Sequence, residues 1–254
     1  MTFDKVLVLP FRNGGIVKLL IGGVLQILPI ISFFSLGYTI ECYENGAYNR
    51  EKMPEWTDWG KKFVNGLCIV AISLIYLLIP ILLFGSSLGA LFSPRHLGFG
   101  VGAGTLILSI MAFIIFSFAI PMAISNFAVK KNFGAAFELG YIFKLIGSSI
   151  GNYIGAYLLY IVAMIACLII SMIPIIGWIF MLFIGFYLGC VAGFLFGSVY
   201  GRAINLMPDG GDPTPKLLET ALETAATSEK AFCTNCGNPL SSDDKVCVKC
   251  GNQI

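Results

Sequence analysis

The sequence predicts an all-α integral membrane bundle followed by a small cysteine-rich module at its C-terminal end. Of the 254 residues, 57% are hydrophobic and 12% are charged, whereas about 25% of an ordinary soluble domain is charged. Long stretches carry no charge at all, and residues 145–201 form the longest of them. Two C-x-x-C pairs stand close together near the C-terminus. This composition excludes a disordered chain and a basic nucleic-acid-binding domain.

The first apolar stretch, residues 19–40, allows two interpretations because Pro29 lies in its middle. One is a single helix. The other follows from the likeness between the sequence ILPIIS at 27–32 and MIPIIG at 172–177. The second of these must be a turn, since the apolar run around it is too long for one helix. We therefore predict helices at about 13–28 and 30–45.

The remaining apolar stretches supply four more spans. Residues 64–129 contain one charge, Arg95, in a Gly/Ser/Pro-rich loop at 86–100 that separates two helices. Residues 145–201 hold two helices and a turn, because one span needs roughly 20 apolar residues. The bundle should thus have about six transmembrane helices, with five as the alternative if residues 19–40 are a single span.

The distribution of basic residues favours six helices. In that arrangement every Lys and Arg of residues 1–202 except Arg95 falls on one side, which the positive-inside rule assigns to the cytosol. Five helices would place Lys5, Arg12 and Lys18 on the wrong side. We predict a multi-pass protein of the cell (plasma) membrane with both termini cytosolic and the lipid bilayer as its first partner. The net charge of +5 over residues 1–202 suits anionic lipid.

Two features of the bundle stand out. Trp56 and Trp59, in the cytosolic segment 41–62, are spaced to share one face and are predicted to be interfacial anchors, with a binding platform as the alternative. Glycines also recur at every fourth position, which lets helix backbones approach closely. These predicted packing positions are Gly147, Gly151 and Gly155 in one helix and Gly185, Gly189, Gly193, Gly197 and Gly201 in another.

No catalytic constellation is found, and we expect no enzymatic activity. The single histidine is His96, and there is no Gly-x-Ser-x-Gly or Walker sequence. No Asp, Glu, Lys or Arg falls at the centre of a span, which counts against ion-coupled transport but not against the transport of lipids or apolar solutes.

The C-terminal part is predicted to consist of a linker and a metal-binding domain. A membrane domain at 1–205 is followed by a flexible linker at 206–231, which can include a short helix, and by a zinc-ribbon domain at 232–254. Two C-x-x-C pairs at this separation predict a structural, tetrahedral Zn²⁺ site, with disulfides as the less favoured alternative in the reducing cytosol. The predicted ligands are Cys233, Cys236, Cys247 and Cys250.

A zinc site with four protein ligands leaves no open position for catalysis. Two lysines balance two aspartates in this module, and four thiolates on one Zn²⁺ add a charge of −2, so its surface repels phosphate and nucleic acid is not an expected partner. A cytosolic or membrane protein is the better prediction.

Several residues carry a family resemblance. The sequence PEWTDWG at 54–60, FVNGL at 63–67, Gly37-Tyr38 and Pro10-Phe11 resemble the prokaryotic, often archaeal, multi-pass membrane family called domain of unknown function 4013. The resemblance covers about residues 3–205, and similar members often carry a terminal zinc ribbon. It implies an architecture and no catalytic residues. We therefore expect a membrane anchor or scaffold whose cytosolic zinc ribbon mediates protein interaction; the alternative is a transporter or lipid-handling protein.

Overall fold

The computed structural model describes residues 3–12, 14–91, 98–173, 176–207 and 250. The chain separates into two compact units, Met1–Pro208 and Asp209–Ile254. In the described ranges the first unit forms α1 (Phe3–Val8), α2 (Gly15–Leu25), α3 (Ser32–Ala47), α4 (Trp59–Leu91), α5 (Gly98–Lys130), α6 (Leu139–Ser148), α7 (Ile150–Ser171) and α8 (Ile176–Leu206). Short 3-10 helices lie at Leu9–Phe11 and Phe133–Phe137. No strand occurs in these ranges, so the predicted all-α bundle is confirmed.

Four of the described helices are long and apolar enough to cross a membrane. They contain the spans Trp59–Ala90, Gly100–Lys130, Ile150–Ser171 and Phe183–Leu206. The count becomes five if Lys5–Phe11 and Gly15–Leu25, which are bent by 82° at their junction, form one broken span. Outward-facing side chains on α4, α5 and α7 are large and apolar, as lipid requires.

The predicted turn at Pro29 is confirmed, because α2 ends at Leu25 and α3 begins at Ser32. A single helix through residues 19–40 is not found. Helix α2 has 11 residues and is shorter than predicted, whereas α3 has the predicted 16 residues but begins two residues later; these lengths correspond to about 16 and 24 Å. Neither reaches the roughly 30 Å of a hydrocarbon core, so by length and composition the described helices supply four spans, or five with the broken one.

The core of the bundle is the contact between α3 and α8. A Cβ atom at Gly197 would overlap the carbonyl oxygen of Tyr43, and one at Gly201 would overlap that of Ala47. The residue numbers rise together in the two helices, so α3 and α8 run parallel. Within the most apolar stretch of the span Phe183–Leu206, 72% is buried inside the bundle, whereas the corresponding share in α7 is 6%. The last helix is therefore central and α7 is peripheral.

Helix α4 packs against the other side of α3, and the two backbones approach as closely as those of α3 and α8 do. A Cβ atom at Gly37 would overlap the carbonyl oxygen of Lys62, and one at Gly66 would overlap that of Phe33. The numbers run in opposite directions, so these two helices are antiparallel. Helix α5 then returns beside α4, where Ser109 Oγ donates to Pro80 O at 3.1 Å.

The described basic residues of the bundle gather at one end, which we call the charged end. It is formed by the starts of α2 and α4, the ends of α3, α5 and α8, the segment 48–58, and α6. Ion pairs connect these parts: Lys18 with Glu55, and Lys131 with Glu44. With a turn at Pro29, the sequence predicted that these basic residues lie on one side of the bundle, and the structure groups them in that way. Arg95 lies outside the described residues.

Candidate functional site

A buried ion pair lies at the charged end, between α3 and α4. The ammonium group of Lys62 donates to both carboxylate oxygens of Glu41, at 2.8 and 2.9 Å, and to Thr57 O at 2.8 Å. The Lys62 side chain is 1% exposed and that of Glu41 is 20% exposed. All three ammonium hydrogens have acceptors, which is what allows a lysine to be buried in an apolar bundle.

An aromatic stack lies beside this ion pair, with the Tyr38 ring centre 5.8 Å from Lys62 Nζ. The Trp56 ring lies 4.4 Å from the Tyr38 ring at an angle of 27°, and 5.9 Å from the Phe186 ring at 29°. The Trp59 ring also stacks on the Trp56 ring, at a distance of 5.4 Å between ring centres. Trp56 is half-buried, whereas Trp59 is 44% exposed. Of the two predicted anchors, Trp56 thus packs into the bundle and Trp59 lies at its surface.

Two backbone carbonyls and one side chain of the segment 48–58 attach it to the bundle. Lys18 Nζ donates to Met53 O at 3.2 Å, and Tyr38 Oη donates to Pro54 O at 2.8 Å. The indole N–H of Trp56 donates to Lys18 O at 3.2 Å. Asp58 ends the segment with a φ of 50°, which turns the chain sharply into α4. Side chains of α2, α3 and α4 therefore hold the segment together.

The same lysine of α2 also holds a surface carboxylate. Lys18 Nζ lies 2.8 Å from Glu55 Oε1. The hydrogen bond and the positive charge of Lys18 lower the pKa of Glu55 below its ordinary value. The carboxylate therefore stays ionised to a lower pH than an ordinary glutamate does, and it keeps the segment 48–58 attached to α2.

A second polar cluster is centred on Asn126 of α5. Its amide nitrogen donates to Ala135 O at 2.8 Å, and its amide oxygen accepts from Tyr200 Oη at 2.8 Å. Tyr76 Oη donates to Ala136 O at 2.6 Å. Carbonyl groups of the short 3-10 helix Phe133–Phe137 are thereby satisfied by side chains of neighbouring helices, as backbone outside regular α-helix must be within a membrane bundle. The partners of Asn126 therefore lie on two other elements, the 3-10 helix and α8.

The predicted packing glycines divide into two groups. In α8, a Cβ at Gly193 would lie 2.7 Å from Cys42 Cβ, and additions at Gly197 and Gly201 would meet the α3 backbone. Additions at Gly185 and Gly189 would approach side chains, at 3.3 Å from Gln26 and 3.1 Å from Thr39. The α8 run therefore faces α2 and α3.

The other run differs from the prediction. A Cβ at Gly147 or Gly151 would meet nothing within 4 Å, and both glycines are exposed, while Gly155 is half-buried. The reason is that α6 ends at Ser148 and α7 begins at Ile150. The run is divided between two helices and does not form one continuous stripe.

Most of the predicted zinc ligands lie outside the described residues. Cys233, Cys236 and Cys247 are in that group, and Cys250 is described and exposed. Within the described part of the chain, no group of three or more His, Cys, Asp or Glu side chains is arranged to hold a metal ion. The four remaining cysteines lie in the bundle, with Cys42 and Cys190 fully buried.

The burial of Lys62 at the charged end was not predicted from the sequence, where Lys62 counted only as one of many basic residues. Its spacing along the chain nevertheless indicates a buried position. Lys62, Ile69, Ile72 and Tyr76 recur at spacings of seven, three and four, which place them on one helix face. All four are buried. A charged residue that continues an apolar face indicates a buried partner.

Comparison with known proteins identifies the family. Residues 20–176 match the family described as "Protein of unknown function (DUF4013)", and residues 232–254 match a zinc-ribbon domain. No curated protein and no solved structure matches the chain. Since the first match covers more than half of the 254 residues, the chain belongs to the DUF4013 family, and it carries a zinc-ribbon domain at its C-terminal end.

Proposed function

We propose that this protein is a non-enzymatic membrane scaffold: the bundle anchors it in the plasma membrane with both termini in the cytosol, and the zinc ribbon recruits a protein partner there. The contact of α3 with α8 carries the proposal. Its glycines bring the two backbones so close that several positions would not hold one more carbon atom. A tightly closed centre suits an anchor, whereas transport of a solute or a lipid calls for space between the helices.

The charges of the bundle support the same proposal. Lys62 and Glu41 are paired with each other inside the charged end. Lys130 and Glu138 form a second pair, at 2.6 Å. Charged residues that serve a transport path in a membrane protein face a water-filled cavity or the moving ion. In these two pairs both charges have a fixed partner, so the pairs serve the packing of the helices.

We further propose that the ribbon binds one structural Zn²⁺ through Cys233, Cys236, Cys247 and Cys250. Four thiolates are a donor set that Zn²⁺ favours in tetrahedral sites. A domain of 23 residues, 232–254, is too small to fold on a hydrophobic core alone, so the metal supplies the stability. The purified full chain should contain one zinc per molecule by elemental analysis, and Cys233→Ser/Cys236→Ser should lose it.

The scaffold role is tested by crosslinking and pull-down from native membranes, followed by mass spectrometry. The full chain is compared with Cys233→Ser/Cys236→Ser and with Ser241→Ala/Ser242→Ala, a control that changes the ribbon without touching its thiols. A partner present with the full chain and the control, but absent with the cysteine variant, is the expected result. Identical associates in all three samples would contradict recruitment by the ribbon.

The alternative, transport or lipid handling, has its own readout. The full chain is reconstituted into vesicles, and the flux of small solutes and the movement of labelled lipids between leaflets are measured. We expect rates equal to those of protein-free vesicles. Rates that rise with the amount of protein would replace the scaffold proposal.

A further inference from the structure

Helices α2 and α3 form a hairpin that begins and ends at the charged end. At its beginning, Lys18 of α2 pairs with Glu55 at 2.8 Å. At its end, Glu44 of α3 pairs with Lys131, which follows α5. The turn at residues 26–31 is therefore the part of the hairpin that lies farthest from the charged end. We call α2, this turn and α3 the re-entrant hairpin.

The turn of the re-entrant hairpin reaches only about halfway across a bilayer. Leu28 follows Lys18 by ten positions, which span about 15 Å at the rise of a helix. On the returning side, Glu41 follows Ser32 by nine positions of α3, or about 14 Å. The hydrocarbon core of a bilayer is about 30 Å thick. The hairpin thus occupies the leaflet at the charged end and stops near the middle of the membrane.

The composition of the turn suits a position in hydrocarbon. Ile27 is 59% exposed and Ile30 is 71% exposed, whereas a turn in water is normally made of Gly, Asn, Asp and Ser. Pro29 has no N–H to satisfy, and its carbonyl accepts from Ser32 Oγ at 2.6 Å. The N–H of Ser32 donates to Leu28 O at 2.8 Å. These bonds reduce the number of backbone groups that lipid would leave without a partner.

The re-entrant hairpin is fixed to the rest of the bundle. Ser35 Oγ donates to Gly22 O at 2.8 Å, in a buried bond that joins α3 to α2. A Cβ atom at Gly22 would overlap the ring of Phe186, and one at Gly23 would overlap that of Phe183. Both rings belong to α8, the central helix. The hairpin is therefore a constant part of the cross-section of the bundle.

The half of the bundle away from the charged end is thinner. In α5, residues 122–128 lie near the charged end and are all buried, whereas only Gly102 and Ser109 are buried in residues 100–115. Among the described helices, this thinner half contains only parts of α4, α5, α7 and α8. A helix with its side chains is about 10–12 Å wide, so α2 and α3 add about 200 Å² to the cross-section of the bundle in one leaflet.

We infer that the bundle is a wedge that collects in curved membrane, where the leaflet at the charged end is convex. Bending a bilayer expands its convex leaflet relative to the other, and the additional helices of the re-entrant hairpin fill that area. This preference goes beyond the scaffold role, since it specifies where in a membrane the scaffold gathers. The wedge is a property of the bundle and not of the zinc ribbon, so either proposal can fail without the other.

The preference is measured on membrane tubes pulled outward from giant vesicles of phosphatidylcholine, a lipid without net charge. The full chain with Arg50→Cys is labelled with a fluorophore in detergent and then reconstituted, and the native chain labelled alike gives the background. An external quencher separates chains with the charged end outside from those with it inside. The first group should be denser in the tube than in the flat membrane, with a ratio above one, and the second should have a ratio below one. Ratios of one in both groups, or ratios that deviate in the same direction, would overturn the inference.

The depth of the turn is measured independently with spin labels. Ile30→Cys places a label on the turn, and Leu20→Cys places one on α2 at a side chain that is also exposed, at 51%. In bilayers, the label at position 30 should be the more accessible to oxygen and the less accessible to a water-soluble nickel complex. Easy access of the nickel complex to position 30 would mean that the turn reaches water, and it would overturn the re-entrant hairpin.

The zinc ribbon supplies the last control. Cys233→Ser/Cys236→Ser, introduced into the labelled chain, should leave both tube ratios unchanged, because the re-entrant hairpin is intact. Ratios that return to one in this variant would assign the curvature preference to the ribbon and overturn the wedge. Failure to recruit a protein partner, with the tube ratios as expected, would contradict the scaffold proposal alone.

Discussion

The ammonium group of Lys62 lies 2.8 and 2.9 Å from the two carboxylate oxygens of Glu41, and it joins the first turns of α4 to the last turns of α3. The close contact of Gly37 with the Lys62 backbone brings the two helices together at this point. The same lysine holds Thr57 O. One side chain thus connects α3, α4 and the segment 48–58.

Replacing Lys62 by Met should destabilise the bundle strongly. The change leaves the Glu41 carboxylate without its partner and removes the donor to Thr57 O. Breaking a buried ion pair by removing one member costs about 3–5 kcal/mol. The free energy of unfolding can be measured by SDS titration in detergent micelles, followed by circular dichroism.

Lys52→Met is the matched control for this change. Lys52 is 74% exposed and lies 3.6 Å from Glu55, and an exposed pair of this kind contributes about 0–1 kcal/mol. Lys62→Met/Glu41→Gln should recover part of the loss, because no unpaired charge stays behind. Equal stability of the two single variants would show that the Lys62 pair is not buried in the membrane-embedded protein.

The α3–α8 contact predicts that replacing one of its glycines by alanine destabilises the bundle. Gly197→Ala places a methyl group against Tyr43 O and should cost about 1–3 kcal/mol, since the two backbones must separate. Gly151→Ala places the same group where nothing lies within 4 Å, and it should be neutral or stabilise by up to about 1 kcal/mol through helix propensity. Thermal unfolding in detergent distinguishes them. The opposite order would exclude the parallel packing of α3 on α8.

The Asn126 cluster predicts an effect for the loss of a single oxygen atom. Tyr200→Phe removes the donor to Asn126 Oδ1 and should cost about 1–3 kcal/mol, because a buried acceptor loses its partner. Tyr160→Phe is the control, as the Tyr160 hydroxyl makes no hydrogen bond within the described chain and its ring contacts Phe196. Both are measured by SDS titration. Similar small effects would show that water replaces the Tyr200 hydroxyl.

The Lys18–Glu55 contact predicts a pH dependence. The lowered pKa of Glu55 in the folded protein means that its contribution to stability is present above the pKa of the unfolded chain, about 4.3. It is lost as the pH falls through the lowered folded pKa. Glu55→Gln should therefore melt at a lower temperature than the native chain near pH 7 and at the same temperature in strong acid. Asp58→Asn, which changes a carboxylate outside any described ion pair, should give parallel melting curves across this range.

The proposed orientation predicts which positions react from outside the cell. A cysteine introduced at position 96 should react with a membrane-impermeant maleimide on intact cells, and one introduced at position 50 should react after the membrane is opened. The reason is the positive-inside rule, which assigns the charged end to the cytosol. Unmodified protein reports the background from native cysteines. Labelling of position 50 on intact cells would reverse the orientation.

Local signals in the sequence predicted the elements of the fold well. The likeness of ILPIIS at 27–32 to MIPIIG at 172–177 marked the turn between α2 and α3, whereas proline alone does not, since Pro80 and Pro121 lie inside α4 and α5. The lengths of the uncharged stretches marked the long helices, since the thickness of the bilayer sets the length of a span. The turn, the long helices and the C-terminal zinc-ribbon domain are found where they were predicted.

Partners across the bundle were harder to predict. Glycine spacing shows that a helix can be approached closely, but it does not show which helix approaches. The run from Gly185 to Gly201 packs on α2 and α3, while Gly147 and Gly151 stay open because a break at Ser149 divides their run. The burial of Lys62 depends on Glu41, which lies 21 residues earlier, and such pairing is not encoded in local spacing.

The parallel contact of α3 with α8 has a consequence for biosynthesis. About 150 residues separate the contacting positions, Thr39 and Gly193. A ribosome that adds 5–20 residues per second needs roughly 8 to 30 s to make that length of chain. During this interval α3 has emerged with Ser35, Thr39 and Glu41, but the helix that covers it has not been synthesised. The nascent chain must therefore shelter a partly polar helix at the translocon or beside a chaperone until its last span arrives, and a chain that is terminated early should be a substrate for membrane proteases.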